Sequence, residues 1–278
     1  MSVQITSTNF DGQTCNVTLY AATGNTIPYN NATQISLGSK EMPFTYTSSV
    51  VSNEYGVFSC FFQGFNKTCI VSQVTPPDGD GNVYKTIKIG NQVWMSENLK
   101  TKKSRDGTPL NNPGNVNIPD TPDGYTIWGG ANGPSTRYWA EYGNINTYGL
   151  LYNQFAVTGT TDSTAICPTG WRVPTSSDFS TLESTLGAST AGIQMKSTTL
   201  WTTHATNFGT NTSGFNAVPA GLRYDTGTFG LISSHNFLYV TDVIGKGYQL
   251  VNSNANLGIY APTPPDSRWG YSVRCIKI

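Results

Sequence analysis

Ile166-Cys-Pro-Thr-Gly-Trp-Arg-Val-Pro-Thr-Ser-Ser-Asp-Phe-Ser-Thr-Leu-Glu-Ser-Thr-Leu186 holds the clearest helix start in the chain. Thr175 stands at the N-cap position. Asp178, three residues on, completes an S/T-x-x-D/E box, which satisfies backbone amides that no helical carbonyl can reach. Phe179, Leu182 and Leu186 fall at i, i+3 and i+7, one apolar stripe for a core, and Gly187 marks the C-terminal stop. Just upstream, Cys167 and Trp171 flank a Pro-Thr-Gly turn. The last segment, Gly270-Tyr-Ser-Val-Arg-Cys-Ile-Lys-Ile, reads as a strand and carries Cys275, the only other cysteine of this half. A Cys167–Cys275 disulfide is therefore expected, tying the final strand beside the helix start.

Working outward, 278 residues suffice for two domains, each with its own core. The chain is 12% charged with a formal net charge of zero, about half the usual charged share of a globular protein. Ser, Thr, Asn, Gly and Tyr fill the gap, as in β-rich, externally exposed domains. With no net positive charge and no basic stripe, nucleic acid is not an expected partner. Lys100, Lys102, Lys103 and Arg105 form one basic cluster, read as a solvated loop. No apolar run approaches the ~18 residues that span a bilayer, so membrane insertion is not expected. Met1-Ser-Val-Gln-Ile-Thr lacks the basic start and apolar stretch of a secretory signal. Yet five cysteines in a β-rich chain point to an oxidising setting. A protein released by lysis, as virion parts are, meets both conditions, and the expected location is a virion or extracellular surface.

Residues 1–74 read as a small all-β sandwich. β-prone runs (Val3 to Thr8, Cys15 to Tyr20, Gln34 to Leu37, Phe44 to Thr47, Val57 to Phe62, Thr68 to Val71) alternate with turn signals such as Asp11-Gly and Asn30-Asn31. Of the chain's Lys, Arg, Asp and Glu, only Asp11, Lys40, Glu41, Glu54 and Lys67 lie here. Of its three cysteines, Cys60 and Cys69 are the preferred pair, closing a hairpin and leaving Cys15. Residues 75–79 are a Pro- and Gly-rich linker. Asp78-x-Asp80-x-Asn82 spells the first half of a calcium loop, but no bidentate Glu follows where such a loop needs one. No cofactor is expected, with calcium at this loop the alternative.

Residues 80–278 read as an α+β domain. It opens with a hairpin, Thr86 to Ile89 and Gln92 to Met95 around Gly90-Asn91. A long polar stretch follows from Thr101 to Asn146, too long for an idle connection and containing Trp128, Tyr138, Trp139 and Tyr142. Tyr148 to Val157 is a helix candidate, with Leu151 and Phe155 at i, i+4. Beyond the capped helix, Leu200-Trp201, Phe215 to Tyr224, Phe237 to Thr241 and Tyr248 to Val251 read as short strands, and the last strand returns to pair near the first.

Five blocks in this second unit resemble the Fibrobacter succinogenes major paralogous domain family. They begin at Asp80-Gly-Asn-Val-Tyr-Lys-Thr-Ile-Lys-Ile-Gly-Asn-Gln-Val-Trp-Met-Ser-Glu-Asn-Leu-Lys-Thr, Tyr148-Gly-Leu-Leu-Tyr-Asn, Ile166-Cys-Pro-Thr-Gly-Trp-Arg-Val-Pro-Thr, Gly214-Phe-Asn-Ala-Val-Pro-Ala-Gly-Leu-Arg and Gly270-Tyr-Ser-Val-Arg-Cys. The resemblance implies a C-type-lectin-like fold, shared with formylglycine-generating enzymes and with receptor-binding proteins of phages. The N-terminal unit is similar to small β modules of phage structural proteins. The chain departs from the family at Leu238-Tyr-Val-Thr-Asp-Val and in residues 245–267. In the fold it resembles, that region forms the exposed ligand face.

An enzyme is not expected. His204 and His235 are the only histidines, neither in a motif that exposes a nucleophile, and no Cys or His pair has zinc-ligand spacing. No Asp or Glu stands in a recognisable acid/base context. Formylglycine-generating enzymes rely on a reactive cysteine pair, whereas Cys167 and Cys275 read as structural. The calcium-binding loops of true C-type lectins are missing, so sugar binding would use aromatic faces and Asn or Ser hydrogen bonds without metal. Asn16, Asn31, Asn66 and Asn211 begin N-x-S/T sequons, read as chance in an Asn/Thr-rich chain. Residues 224–269 combine rigid aromatics with adaptable polar groups, the mix that antibody loops use. Tyr239, Tyr248, Asn252, Asn254, Asn256 and Tyr260 are the binding candidates, while Tyr224 and Trp269, which flank family blocks, read as core. The expected function is that of a virion structural protein: a docking domain that meets other particle proteins, and a lectin-like domain that binds a host glycan or protein. Homo-oligomerisation is left open. The alternatives are an exported bacterial adhesion or polysaccharide-binding protein, and a decoration protein with no ligand.

Overall fold

This computed structural model describes the backbone of residues 2–8, 14–20, 33–36, 47–48, 51–53, 56–63, 68–73 and 139, and backbone with side chains over 74–112, 140–158, 165–243, 245–262 and 266–278. The chain divides into two compact units. The first comprises Met1–Pro76 with Lys85–Lys88, the second Pro77–Tyr84 with Ile89–Ile278.

The first unit contains β1 (Ser2–Thr8), β2 (Thr14–Tyr20), β3 (Thr33–Ser36), β4 (Thr47–Ser48), β5 (Val51–Asn53), β6 (Gly56–Gln63) and β7 (Thr68–Val74). They form two sheets, ordered β2-β1-β4 and β3-β7-β6-β5, with every pair antiparallel. β1 of one sheet approaches β5 and β6 of the other. The backbone register sets Cys60 opposite Val71 and Cys69 opposite Phe62. The side chains of Cys15, Cys60 and Cys69, and with them the expected Cys60–Cys69 pair, lie outside the described residues.

β8 (Thr86–Ile89) and β9 (Gln92–Met95) flank a turn at Gly90 and Asn91, the expected hairpin. The expected helix over 148–157 is instead two single turns, α1 (Ile145–Tyr148) and α2 (Gln154–Val157), around a short strand β11 (Leu151–Tyr152) that pairs with β10 (Trp139–Ala140). Local chemistry explains the break. Gly149, at φ 72°, ends the first turn, and Asn153 starts the second by accepting the Ala156 amide at 3.0 Å. Of the long polar stretch, residues 113–138 lie outside the described residues. Tyr142 stacks on Phe229 with ring centroids 4.8 Å apart.

β12 (Trp171–Arg172) leads into α3 (Ser176–Leu186), whose start forms as its sequence dictates. The Asp178 carboxylate accepts the Thr175 amide at 2.7 Å and its hydroxyl at 2.8 Å, while the Thr175 oxygen receives the Asp178 amide. Arg172 pairs with the same carboxylate at 2.6 and 2.9 Å. Burial opposes ionisation of Asp178, but Arg172 and the Thr175 donors outweigh it and hold the carboxyl below the usual range. Asp178→Ala is expected to cost about 2 kcal/mol, read from urea unfolding midpoints. Because the folded pKa is the lower one, this stability is present above about pH 4 and lost as pH falls further.

Phe179 and Leu182 of α3 are buried. Phe179 packs on the wholly buried Trp94 (5.1 Å between rings), which also meets Phe215 (5.7 Å). After α4 (Ala191–Met195) comes a second sheet: β13 (Ala220–Arg223), β14 (Phe229–Ile232), β15 (His235–Tyr239), β16 (Gly247–Val251) and β17 (Gly258–Tyr260), ordered β14-β13-β15-β16-β17. The expected Leu200-Trp201 strand is absent. Leu200 turns the chain at φ 76°, and the Trp201 indole donates to the Ala217 carbonyl instead. The strand expected over 215–224 shrinks to β13 because Asn216, at φ 55°, cannot extend it.

Residues 270–278 unite the second unit, though only Ile276–Lys277 is a regular strand, β18. Gly270 exchanges backbone hydrogen bonds with Arg223 of β13, and Tyr271 with Tyr152 of β11, while Ser272 bonds to Phe237 and Tyr239 of β15. Val273 and Cys275 accept from Leu99 and Met95, and Ile276 pairs with Trp94 of β9 and Arg172 of β12. Each residue serves a different neighbour, so no single ladder forms. Cys167 and Cys275, both buried, are joined by a disulfide within this knot.

Candidate functional site

Asp78, in the calcium-like stretch, accepts hydrogen bonds from its own chain. One oxygen accepts the Asp80 and Asn82 amides at 2.9 Å, and the other accepts the Tyr84 hydroxyl and the Asn82 side-chain amide. Asp80 accepts the Lys102 amide and pairs with Lys103 at 3.3 Å. Among the described residues, no group of three His, Cys, Asp or Glu is placed to hold a metal ion. Burial raises the Tyr84 pKa well above normal, and the nearby Asp78 charge adds to it; burial does the same for Tyr152. Unfolded tyrosines lose their protons near about pH 10 while these two keep theirs, so the folded chain binds more protons there. Stability is therefore expected to fall as pH rises from about 10, by less in Tyr84→Phe, read from urea midpoints at either side of that pH.

The basic cluster also proves structural at Arg105. Its guanidinium donates to the carbonyls of Cys167 (3.1 and 3.0 Å), Pro168 (3.0 Å) and Trp171 (3.0 Å), clamping the turn before α3. This corrects the reading of Arg105 as a solvated loop residue. Arg274, unlike the half-exposed Arg105, is buried, bonded to Asn98 at 2.7 Å and to the carbonyls of Met95, Phe215 and Asn216. Burial lowers its pKa to about 9, against the pull of the Glu97 charge. It borders a cleft of about 100 Å³ with Glu97, Lys100 and Asn146, small beside the roughly 300–1,000 Å³ of ordinary ligand sites.

The six expected binding residues do not share one surface. Tyr239 is fully buried, its ring against Tyr271 (4.6 Å) and its hydroxyl on the Trp269 carbonyl (2.8 Å). Tyr248 is 3% exposed, stacked on Phe179 at 4.6 Å with its hydroxyl donating to the Ser176 carbonyl. Both are core, which corrects their assignment to a ligand face: β15 is buried on both sides, and the register places the two rings on opposite faces, each covered by packed neighbours. The loop with Asn252, Asn254 and Asn256 is organised by a residue the sequence did not flag, Lys196. Its ammonium is wholly buried and donates to the carbonyls of Asn207 (2.7 Å), Val251 (3.0 Å), Asn252 (3.5 Å) and Asn254 (2.9 Å). The Asn254 and Asn256 side chains are exposed. The loop lies so close to α4 that a Cβ on Gly192 would sit 2.3 Å from the Asn256 oxygen.

Tyr260 alone of the six joins an aromatic surface, and its companions are the two residues expected to be core. Tyr224, Tyr260 and Trp269 are each half-buried against the main core. Trp269 meets Tyr224 edge-on at 5.2 Å and lies nearly parallel to Tyr260 at 6.3 Å, while Tyr260 abuts Phe237 at 4.7 Å. Burial and the neighbouring Tyr224 raise the Tyr260 pKa. A tight turn, with the Tyr224 amide on the Thr228 carbonyl at 2.9 Å, sets Asp225 beside Trp269, whose indole N–H it accepts at 3.1 Å. Arg268 bridges this carboxylate (3.4 Å) to Asp266 (2.6 Å). Burial lowers the His235 pKa, and its ring stacks on Phe237. The sequence carries a signal for this ledge: Asp225, Asp266 and Arg268 are three of only five charges in residues 224–269.

A β-rich domain with few helices, closed by one disulfide and a C-terminal segment that joins its sheets, is the class of structure these features define. The chain belongs to the Fibrobacter succinogenes major domain family, whose model matches residues 87–277. No curated protein and no solved structure matches it.

Proposed function

We propose that this is a non-enzymatic display protein. The family domain is C-type-lectin-like and presents the Tyr224–Tyr260–Trp269 ledge to a host glycan or protein, and the N-terminal unit docks to other proteins of a virion or similar particle. The observation that carries the reading is the ledge. Aromatic rings give large contact area at low entropic cost, and here Asp225, itself paired with Arg268, fixes the Trp269 indole edge in advance of any ligand. The docking role is supported by composition: five charged side chains over residues 1–74 suit close packing against neighbours.

Labelled full-length chain added to host cells tests the reading. Trp269→Ala and Tyr260→Ala are each expected to weaken binding about tenfold, the worth of one lost aromatic contact. Thermal melts show whether each variant keeps its fold. Binding undiminished in both would overturn the ledge as the site. Mass spectrometry of purified particles is expected to recover the chain, and recovery in the cell-wall fraction alone would favour an exported adhesin instead.

A further inference from the structure

We infer that the ledge takes an uncharged pyranose glycan without a metal ion and discriminates against anionic sugars, an inference that rests on the display reading above. The chemistry follows from the ledge's two components. An aromatic face carries the negative lobe of the ring quadrupole and attracts the weakly positive C–H face of a pyranose. Tyr260 and Trp269 are both half-buried, with ring planes inclined by only 26°, so their exposed parts have nearly the same orientation.

Beside them stand two carboxylates and one guanidinium. A carboxylate can accept about four hydrogen bonds. Asp266 takes three from the amide, Nε and Nη2 of Arg268, and Asp225 takes the Trp269 indole N–H beside its Arg268 contact, so each keeps room for a sugar hydroxyl. Arg268 is the one cation here, and its Nε and Nη2 are already engaged by Asp266 at 2.9 and 2.6 Å. A uronate, sialate or sulfate arriving at the ledge meets an excess of negative charge, with the one guanidinium already occupied. A neutral hexose meets acceptors and apolar faces. Hydroxyl recognition by preset carboxylates needs no calcium.

The test is titration of the full-length chain with neutral gluco-, galacto- and manno-oligosaccharides and with uronate-, sialate- and sulfate-bearing ones, each with and without EDTA. The expected result is binding of at least one neutral series, unchanged by EDTA and at least about tenfold tighter than any anionic glycan. Trp269→Ala should lose it, and Trp269→Phe, which keeps an aromatic face, should retain most of it. Asp225→Asn with Asp266→Asn, which keeps shape and removes charge, should narrow the gap between neutral and anionic glycans. Preference for anionic glycans, loss of binding in EDTA, or no glycan binding at all would each overturn the inference. If no glycan binds yet host-cell binding still falls in Trp269→Ala, the display reading stands and the sugar assignment alone fails.

Discussion

Replacing Cys167 and Cys275 together with alanine is expected to destabilise the second unit by about 2–5 kcal/mol, the range for native disulfides that close long loops. The two cysteines are 108 residues apart in sequence, so the cross-link removes much of the unfolded chain's freedom. For a unit of roughly 200 residues this lowers the melting temperature by about 4–20 °C. Both residues are buried, and the bond joins the turn clamped by Arg105 to the segment that stitches the sheets. Its loss should therefore loosen the start of α3 and the C-terminal strand together, visible as faster amide exchange at both. Free thiols found at both positions by mass spectrometry without reductant, or a double variant that melts with the wild type, would count against this account.

Lys196→Met is the second large effect. Methionine fills the space of the lysine stem but has no proton to donate. It would strand the carbonyls of Asn207, Val251, Asn252 and Asn254, which now converge on the ammonium. An unsatisfied buried acceptor costs about 1–3 kcal/mol, and water can reach the more exposed loop carbonyls, so a total near 3 kcal/mol is expected, or about 6–12 °C in melting temperature. Burial lowers the Lys196 pKa to about 8, so it remains charged at neutral pH. Between that value and the unfolded one near 10.4, the unfolded chain binds more protons, and this group's contribution to stability rises with pH. The gap between wild type and Lys196→Met should thus widen above about pH 8, while the buried tyrosines act equally on both chains and cancel. A gap that narrows there would contradict the burial of the amine.

Chemistry confined to a few neighbouring residues was legible in the sequence. The Thr175–Asp178 box, the Gly90-Asn91 turn and the stop at Gly187 all appear where read, because each satisfies backbone groups within about four positions. The disulfide partners were also legible, since only two cysteines lie beyond residue 69. Tertiary structure alone decided which aromatics face water. Tyr248 follows Gly-Lys-Gly and Tyr260 follows Leu-Gly-Ile, so local polarity would expose the first, yet Tyr248 is stacked under Phe179 and Tyr260 forms a ledge with Trp269. Lys196, in an ordinary Met-Lys-Ser run, becomes the buried pin of a loop more than fifty residues away, and 270–278 divides its hydrogen bonds among five segments. The reason is physical: capping and turn formation depend on atoms a residue carries with it, whereas burial and long-range pairing depend on which distant segment comes to cover it.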